Sequence, residues 1–270
     1  MSVISTGFID RGALVMKAKN SICYGIALTF IFFTSLGLAG TGNALGPAVD
    51  HSIYSDLLKE HVKNGQVNYH GFKSDEAKLD QYLKVLEDTD IKRLSPNEQF
   101  AFYANAYNAW TIKLILSGYP GIKSIKDLGS LFRSPWKKKI VRIDGTVLTL
   151  DEVEHNILRP RFKDPRVHFA INCTAFSCPP LRSEPYQCGK LDQQLNDATR
   201  MFINNPERNY LEGNTLYVSK IFKWFAEDFD HDVVGFLSKH AEKNFKQKLE
   251  SKKNSLKVKY LYYDWSLNGS

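Results

Sequence analysis

SPNEQFAFYANAYNAWTIKLILSGYPG, residues 95–121, is the stretch whose reading decides the fold. Ser95 with Glu98 three positions on is a capping box, and Pro96 sits at the first helical position, where proline needs no amide proton. No glycine or proline follows until Gly118 and Pro120, so the pattern predicts one helix running to about Ser117. Its apolar residues run nearly all the way round. A surface helix carries a single apolar stripe, so this one is expected at the centre of the molecule, covered by its neighbours. Asn105 and Asn108 lie three apart on one of its faces, beside Tyr107. Burying two amides costs a few kcal/mol unless each finds partners. They either tie adjacent loop backbones together or line a site.

Working outward, residues 54–62 have helical apolar spacing, 65–69 read as a turn into a short strand, and Ser74 is expected to open a second amphipathic helix through Leu79, Tyr82, Leu83 and Leu86. Beyond Trp136, KIVRID and TVLTL flank a turn at Gly145, and Asp151 is expected to cap a helix, DEVEHNILR, ending before Pro160. Residues 166–173 alternate like a strand, 191–204 like a helix, and RNYLE and TLYVS flank the hairpin dipeptide Gly213-Asn214. Residues 221–229 and 232–240 read as helices, and LKVKYLYYDWSLN as a closing strand. The order is irregular rather than alternating. That predicts an α+β fold, a single globular domain in which the long buried helix packs on a mixed or antiparallel sheet with helices around it.

The first 44 residues read differently. From Met16, Lys17 and Lys19 form a basic start, residues 22–38 an apolar run, and Gly42-Asn43-Ala44 a small-residue cleavage site. The expectation is an export signal over 1–44, a true start at Met16, and a mature domain over 45–270 that is periplasmic or secreted and meets a membrane only through the signal segment if uncleaved. The formal charge of +7 includes Arg11, Lys17, Lys19 and Asp10 from that segment, so the mature domain is only about +5. Its surplus lies in Lys137-Lys138-Lys139 and in 239–259, where Lys and Glu alternate as on a solvated helical face. A nucleic-acid site would interleave basic and aromatic residues in one groove, so nucleic acid is not expected as a partner.

RVHFAINCTAFSCPPLR, residues 166–182, concentrates the chemistry. In a strand His168 and Asn172 would share the less apolar face. Cys178, backed by Pro179 and Pro180, could present a thiolate, the nucleophilic form of cysteine. A cysteine nucleophile needs a base and a third group to orient it. His155, with Glu154 beside it and Asp151 one turn earlier, is preferred over His168 as that base. Three other readings compete: a Cys173–Cys178 or Cys178–Cys188 disulfide, a zinc site, or a plain packed cysteine. Zinc lacks one of the paired ligand motifs that structural sites carry, so neither metal nor cofactor is expected.

Five ordered blocks, FYANAYNAWTI, LTLDEVEHNILR, RVHFAINCTAFSCPPLR, VSKIFKWFAEDF and YLYYDWSLN, together resemble the domain-of-unknown-function 547 family. The resemblance implies an exported single-domain protein with no assigned activity, and marks Asn105, Tyr107, Asn108, His155, the run from Cys178 to Arg182, and Phe222, Trp224 and Phe229 as its characteristic positions. Family marks rich in Asn, His, Cys and Arg imply a polar site. The first functional expectation is a thiol-dependent hydrolase or transferase acting on an amide or acyl bond. In it Cys178 attacks, His155 is the base oriented by Glu154, Asn105 or Asn108 holds the oxyanion, and Arg182 binds a carboxylate, with Tyr107, His168 and Trp224 lining the substrate site. The second is a non-catalytic binding or envelope-maintenance module with structural cysteines, its IFKWF block forming a groove for a small molecule, a peptide or a cell-envelope ligand.

Overall fold

The computed structural model describes residues 49–130 and 132–270, so the expected export signal and the start at Met16 lie outside the described residues. Helix α1 (Ser52–His61) leads into a hairpin of β1 (Val62–Lys63) and β2 (Gln66–Val67), then α2 (Tyr69–Ser74), α3 (Glu76–Glu87) and the long α4 (Pro96–Leu116). The capping box forms as the sequence dictates. Ser95 Oγ accepts from the Glu98 amide at 3.4 Å, while Glu98 Oε2 accepts from the Ser95 amide at 2.8 Å. Ser74 proves to end α2 rather than open a helix. Asn68 caps α2 by accepting from the Gly71 amide at 2.8 Å, and the chain restarts at Glu76.

Next come the hairpin β3 (Val141–Ile143) and β4 (Thr146–Leu148), α5 (Leu150–Glu152), a π-turn over Val153–Leu158, α6 (Arg159–Phe162) and α7 (Val167–Ala170). The cap of α5 is Thr149 rather than Asp151: Thr149 Oγ1 accepts from the Glu152 amide at 3.0 Å and Glu152 Oε2 accepts from the Thr149 amide at 2.7 Å. Pro160 does not stop the helix. The π-turn runs on into α6 with Pro160 as its second residue, and the helical chain continues to Phe162.

The expected strand over 166–173 is instead α7 followed by extended chain. Asp164 Oδ1 accepts from the Arg166 amide at 2.9 Å and the Asp164 carbonyl accepts from the Val167 amide at 3.1 Å, so the Asp164-Pro165 pair winds the chain before the alternation can act. Val167, His168, Phe169 and Ala170 are consequently all buried.

The chain closes with α8 (Leu191–Ile203), the hairpin β5 (Asn209–Glu212) and β6 (Thr215–Val218), α9 (Ile221–Trp224), α10 (Val233–His240), α11 (Lys243–Lys252) and β7 (Lys257–Tyr260). β5 and β6 pair antiparallel, β6 and β7 parallel, so the one three-stranded sheet among the described residues is mixed. The closing strand is shorter than expected and gives way after Tyr260 to irregular chain.

This is an α+β fold with small sheets and many helices, and it has two apolar cores. One surrounds α4, whose Phe102, Ala104, Ala106, Ala109 and Ile115 are fully buried against α3, the π-turn and the β3–β4 hairpin. A side chain such as Phe102 contributes about 1.5–3 kcal/mol by leaving water. The other joins the three-stranded sheet to α8–α11 through Phe169, Phe202, Leu216, Phe222, Phe229, Leu237 and Leu249. The long helix is therefore central, but helices cover it more than the sheet does. No helix among the described residues is long and apolar enough to cross a membrane.

A candidate functional site between the two cores

Where the cores meet lies a cavity of about 240 Å³. Tyr107 of α4, Glu154 and His155 of the π-turn, His168 of α7, Cys173 and Cys178 contribute its polar and sulfur-bearing lining, and Trp136, Trp224, Phe225, Tyr263 and Trp265 its aromatic walls. The aromatic rings brace one another: Trp224 lies 4.8 Å from Tyr263 and 5.7 Å from Trp265, Trp136 meets Trp265 edge-on at 5.6 Å, and the Lys126 ammonium sits 3.8 Å over Trp265. Such edge-on and offset pairs fix ring positions as well as burying area.

One wall is the π-turn, a wound-out helical segment of the kind often met at functional sites. Glu154 is buried, and Tyr107 donates its hydroxyl to Glu154 Oε2 at 3.2 Å. Burial pushes its carboxyl up to about 7, a rise that the Tyr107 bond and the nearby Arg159 restrain and that Asp151 and Asp228 assist. His155 accepts at Nδ1 from Arg159 Nη1 at 3.0 Å, which places its proton on Nε2, 3.8 Å from Asp151 Oδ1. Burial, opposed by Asp151 and aided by Arg159, lowers its pKa.

Behind this wall His168 Nε2 donates to Asp228 Oδ2 at 2.6 Å, and Arg159 clamps the same carboxylate through Nε at 2.6 Å and Nη2 at 3.0 Å. Burial works against the Asp228 charge, but the His168 and Arg159 bonds outweigh it and hold the carboxyl well below the usual carboxylate range. Burial likewise pushes His168 down despite Asp228, so it serves as a neutral donor.

The opposite wall is the loop 172–180. Cys173 and Cys178 are joined in a disulfide. Asn172 Nδ2 donates to the Pro179 carbonyl at 2.7 Å, Asn172 Oδ1 accepts from the Thr174 amide at 2.8 Å and from Asn268 Nδ2 at 3.2 Å, and the Asn268 amide donates to the Thr174 carbonyl at 2.8 Å. This amide lattice holds Thr174, a β-branched residue, in the left-handed region at φ 65°.

The structure thus brings Cys178, His155, Glu154, Tyr107, His168 and Trp224 to one cavity and leaves Asn105, Asn108 and Arg182 out of its lining. Asn108 Nδ2 donates to the Ala170 carbonyl at 3.0 Å and its Oδ1 accepts from the Asn172 amide at 2.8 Å. Asn105 does the same to Tyr186, at 2.9 Å from the carbonyl and 2.8 Å from the amide. Both amides are spent on partners away from the cavity, Asn105 also reaching His51 Nε2 at 3.4 Å, so neither is placed to hold an oxyanion there. Arg182 pairs with Glu184 and donates to the Gln194 carbonyl, which leaves no carboxylate-binding role toward the cavity.

Two further corrections concern the proposed nucleophile and base. In its disulfide Cys178 has no thiolate to attack with. The single lone pair of His155 is occupied by Arg159, so it is not arranged to take a proton. Sequence reasoning missed Arg159, Asp228, Tyr263, Trp136 and Trp265 as parts of the site. Asp228, Tyr263 and Trp265 all stand in the aromatic blocks VSKIFKWFAEDF and YLYYDWSLN, where the density of polar residues among aromatics was the available signal.

Away from the cavity, Glu60, His61 and Asp75 bring possible metal-ligand atoms within 4.8 Å of one another. Asp75 there already binds His61 and Lys78, each at 2.9 Å.

Fold and cavity define an α+β protein with an aromatic-walled pocket floored by a disulfide and a buried acid. Residues 91–203 match the model of the family described as "Protein of unknown function, DUF547". The match takes in Tyr107, Glu154, His155, His168 and both sulfurs of the disulfide, while Trp224, Phe225, Tyr263 and Trp265 lie beyond it. No curated protein and no solved structure matches the chain.

Proposed function

We propose that the protein is an exported binding module of the cell envelope whose aromatic cavity takes a short peptide or glycan. The observation that carries this reading is the division of labour in the cavity. The cysteines are tied to each other and His155 is engaged by Arg159, whereas the aromatic faces, among them Trp224 at 46% exposure, are open to a ligand. Aromatic rings stack on peptide and sugar faces, and the Tyr107–Glu154 pair supplies a polar end that fixes orientation. A disulfide supports an oxidising compartment, in keeping with the export signal expected over 1–44.

Three cavity residues are tryptophans, so fluorescence reports occupancy directly. Titration with short peptides and with amino-sugar oligomers is expected to shift the emission saturably for one class, and Trp224→Ala to weaken binding roughly tenfold or more, as for a buried aromatic anchor. Unchanged affinity in that variant, or no response to either class, sinks the reading.

A second reading, a thiol-dependent hydrolase or acyltransferase, is favoured by Cys178 lining the same cavity as Glu154. It requires the reduced protein. Reduced chain should then hydrolyse a thioester or activated amide and lose this on Cys178→Ser; equal rates for the oxidised chain or the variant reject it.

A further inference from the structure

We propose that Cys173–Cys178 is a reactive disulfide that exchanges with dithiols admitted to the cavity, with Cys173 the sulfur attacked and Cys178 the sulfur that leaves as thiolate. This goes beyond the binding reading and holds whichever ligand the aromatic walls take.

Position comes first. Both sulfurs line the cavity, and they differ in access: Cys173 is half-buried, Cys178 only 6% exposed. An entering thiol therefore meets Cys173. The surroundings of Cys178 then suit a departing charge. The Cys173 amide donates to Cys178 Sγ at 3.0 Å and the Tyr263 hydroxyl lies 3.3 Å from the same sulfur. A disulfide sulfur is a weak acceptor and gains little from two donors, whereas a thiolate gains much from donors fixed in advance. Cys173 Sγ has only the Tyr263 hydroxyl, at 3.3 Å. The leaving group with the lower pKa leaves faster, and the Cys173 amide, a donor that Cys178 has and Cys173 lacks, marks Cys178 as that group.

The loop also suits reversal. Asn108, Asn172 and Asn268 pin its backbone from both sides, so opening the sulfur bridge does not free the segment. The sulfurs stay within reach of each other. Glu154, buried in the same cavity, is an acid that exchanges its proton near neutral pH.

The chemistry balances without a further reagent. A substrate thiolate attacks Cys173 Sγ, forming a mixed disulfide; the Cys173–Cys178 bond breaks and its electron pair goes to Cys178 Sγ. The second thiolate of the substrate attacks its own sulfur in the mixed disulfide, closing a substrate disulfide and releasing Cys173. Two electrons pass from the dithiol to the protein pair, and the two protons of the substrate thiols end on the two cysteines. The substrate class is a dithiol, on a peptide or a small molecule.

The test uses the folded protein with Cys23→Ser and Cys188→Ser, so that the bridge supplies the remaining thiols; Cys188 is the exposed free cysteine among the described residues. Dithiothreitol without denaturant, followed by alkylation and mass spectrometry, should open the bridge while circular dichroism shows the fold intact. Glutathione should leave its adduct on Cys173. After reduction Cys178 should alkylate with an apparent pKa below the free-thiol value of about 8.5. Tyr263→Phe should raise that pKa and slow opening roughly tenfold, the loss of one hydrogen bond to a charge. Opening only where the fold is lost, an adduct on Cys178, or a Tyr263→Phe variant unchanged in both pKa and rate would overturn the proposal. The measurements on the protein that keeps Tyr263 stand even if the Tyr263→Phe variant fails to fold. Because ligand titration is done on the oxidised chain, failure of exchange and failure of the binding reading are separately visible.

Discussion

The two walls of the cavity use polar groups in opposite ways. On the loop 172–180 the side-chain amides are matched to partners: Asn108 to Ala170 and Asn172, Asn172 to Thr174, Pro179 and Asn268. On the π-turn, Glu154 is buried with a single bond, from Tyr107, and keeps its proton up to about 7. The first wall spends polarity on shape. The second holds an acid in reserve, and a group held at a cost in stability is where chemistry or recognition is to be sought.

The comparison can be broken most forcefully at Asn108. Asn108→Ala strips partners from the Ala170 carbonyl and the Asn172 amide, two backbone groups in the buried interior. Urea unfolding should register a loss of about 4 kcal/mol. A change below about 1 kcal/mol would mean that the amide lattice is not what holds this wall.

Glu154→Gln should act in the other direction. The folded chain keeps the Glu154 proton to about 7, an unfolded glutamate releases it near 4.5, so the folded state binds more protons between those values and stability falls as pH rises through them. The variant is expected to gain on the wild type across that window, by up to about 3 kcal/mol at pH 8. Parallel stability curves from pH 4 to 8 would remove Glu154 from its place as the reserved acid.

Asp228→Asn weakens the bonds from His168 and Arg159, at about 1–2 kcal/mol near neutral pH. Because the Asp228 carboxyl is held low, its contribution is present above the ordinary carboxylate range and lost as pH falls below about 4. The difference from wild type should shrink in acid, and a difference independent of pH would contradict the charge-based account. The smallest effect belongs to Lys139→Ala. Its 2.7 Å pair with Glu152 is largely exposed, so thermal melts should move by no more than about 0.5 kcal/mol equivalent.

Much of the frame was legible where local chemistry decides. Ser95 and Glu98 announced α4, its all-round apolarity announced a buried helix, and Gly213-Asn214 announced the β5–β6 hairpin. Legibility failed where a contact distant in sequence, or one turn residue, overrides a pattern. The alternation of Val167, Phe169 and Ile171 imitates a strand, yet Asp164 and Pro165 coil it. The π-turn that sets Glu154 beside Tyr107 has no sequence code of its own. His168 meets Asp228 across a separation of 60 residues, which no spacing rule reaches. Of the site, the residue types were visible and their pairing was not. Cysteine, histidine and asparagine stood together in RVHFAINCTAFSCPPLR, but that the sulfurs bond to each other and the asparagines to backbone is a fact of three dimensions.

The segment 266–270 carries a consequence for the order in which the molecule can be made. Val67 donates its amide to the Asn268 carbonyl at 3.2 Å, Tyr69 donates its amide to the Ser270 carbonyl at 2.7 Å, and its hydroxyl reaches Asn268 Oδ1 at 2.6 Å. Gly269 lies so close that a Cβ there would meet the Val67 carbonyl oxygen at 1.8 Å. The hairpin of β1 and β2, among the first described residues to be synthesised, must therefore wait for partners such as Asn268, 199 positions after Tyr69. Contacts of such long range set folding rates low, and on the ribosome the seam stays open until residues 266–270 have been made.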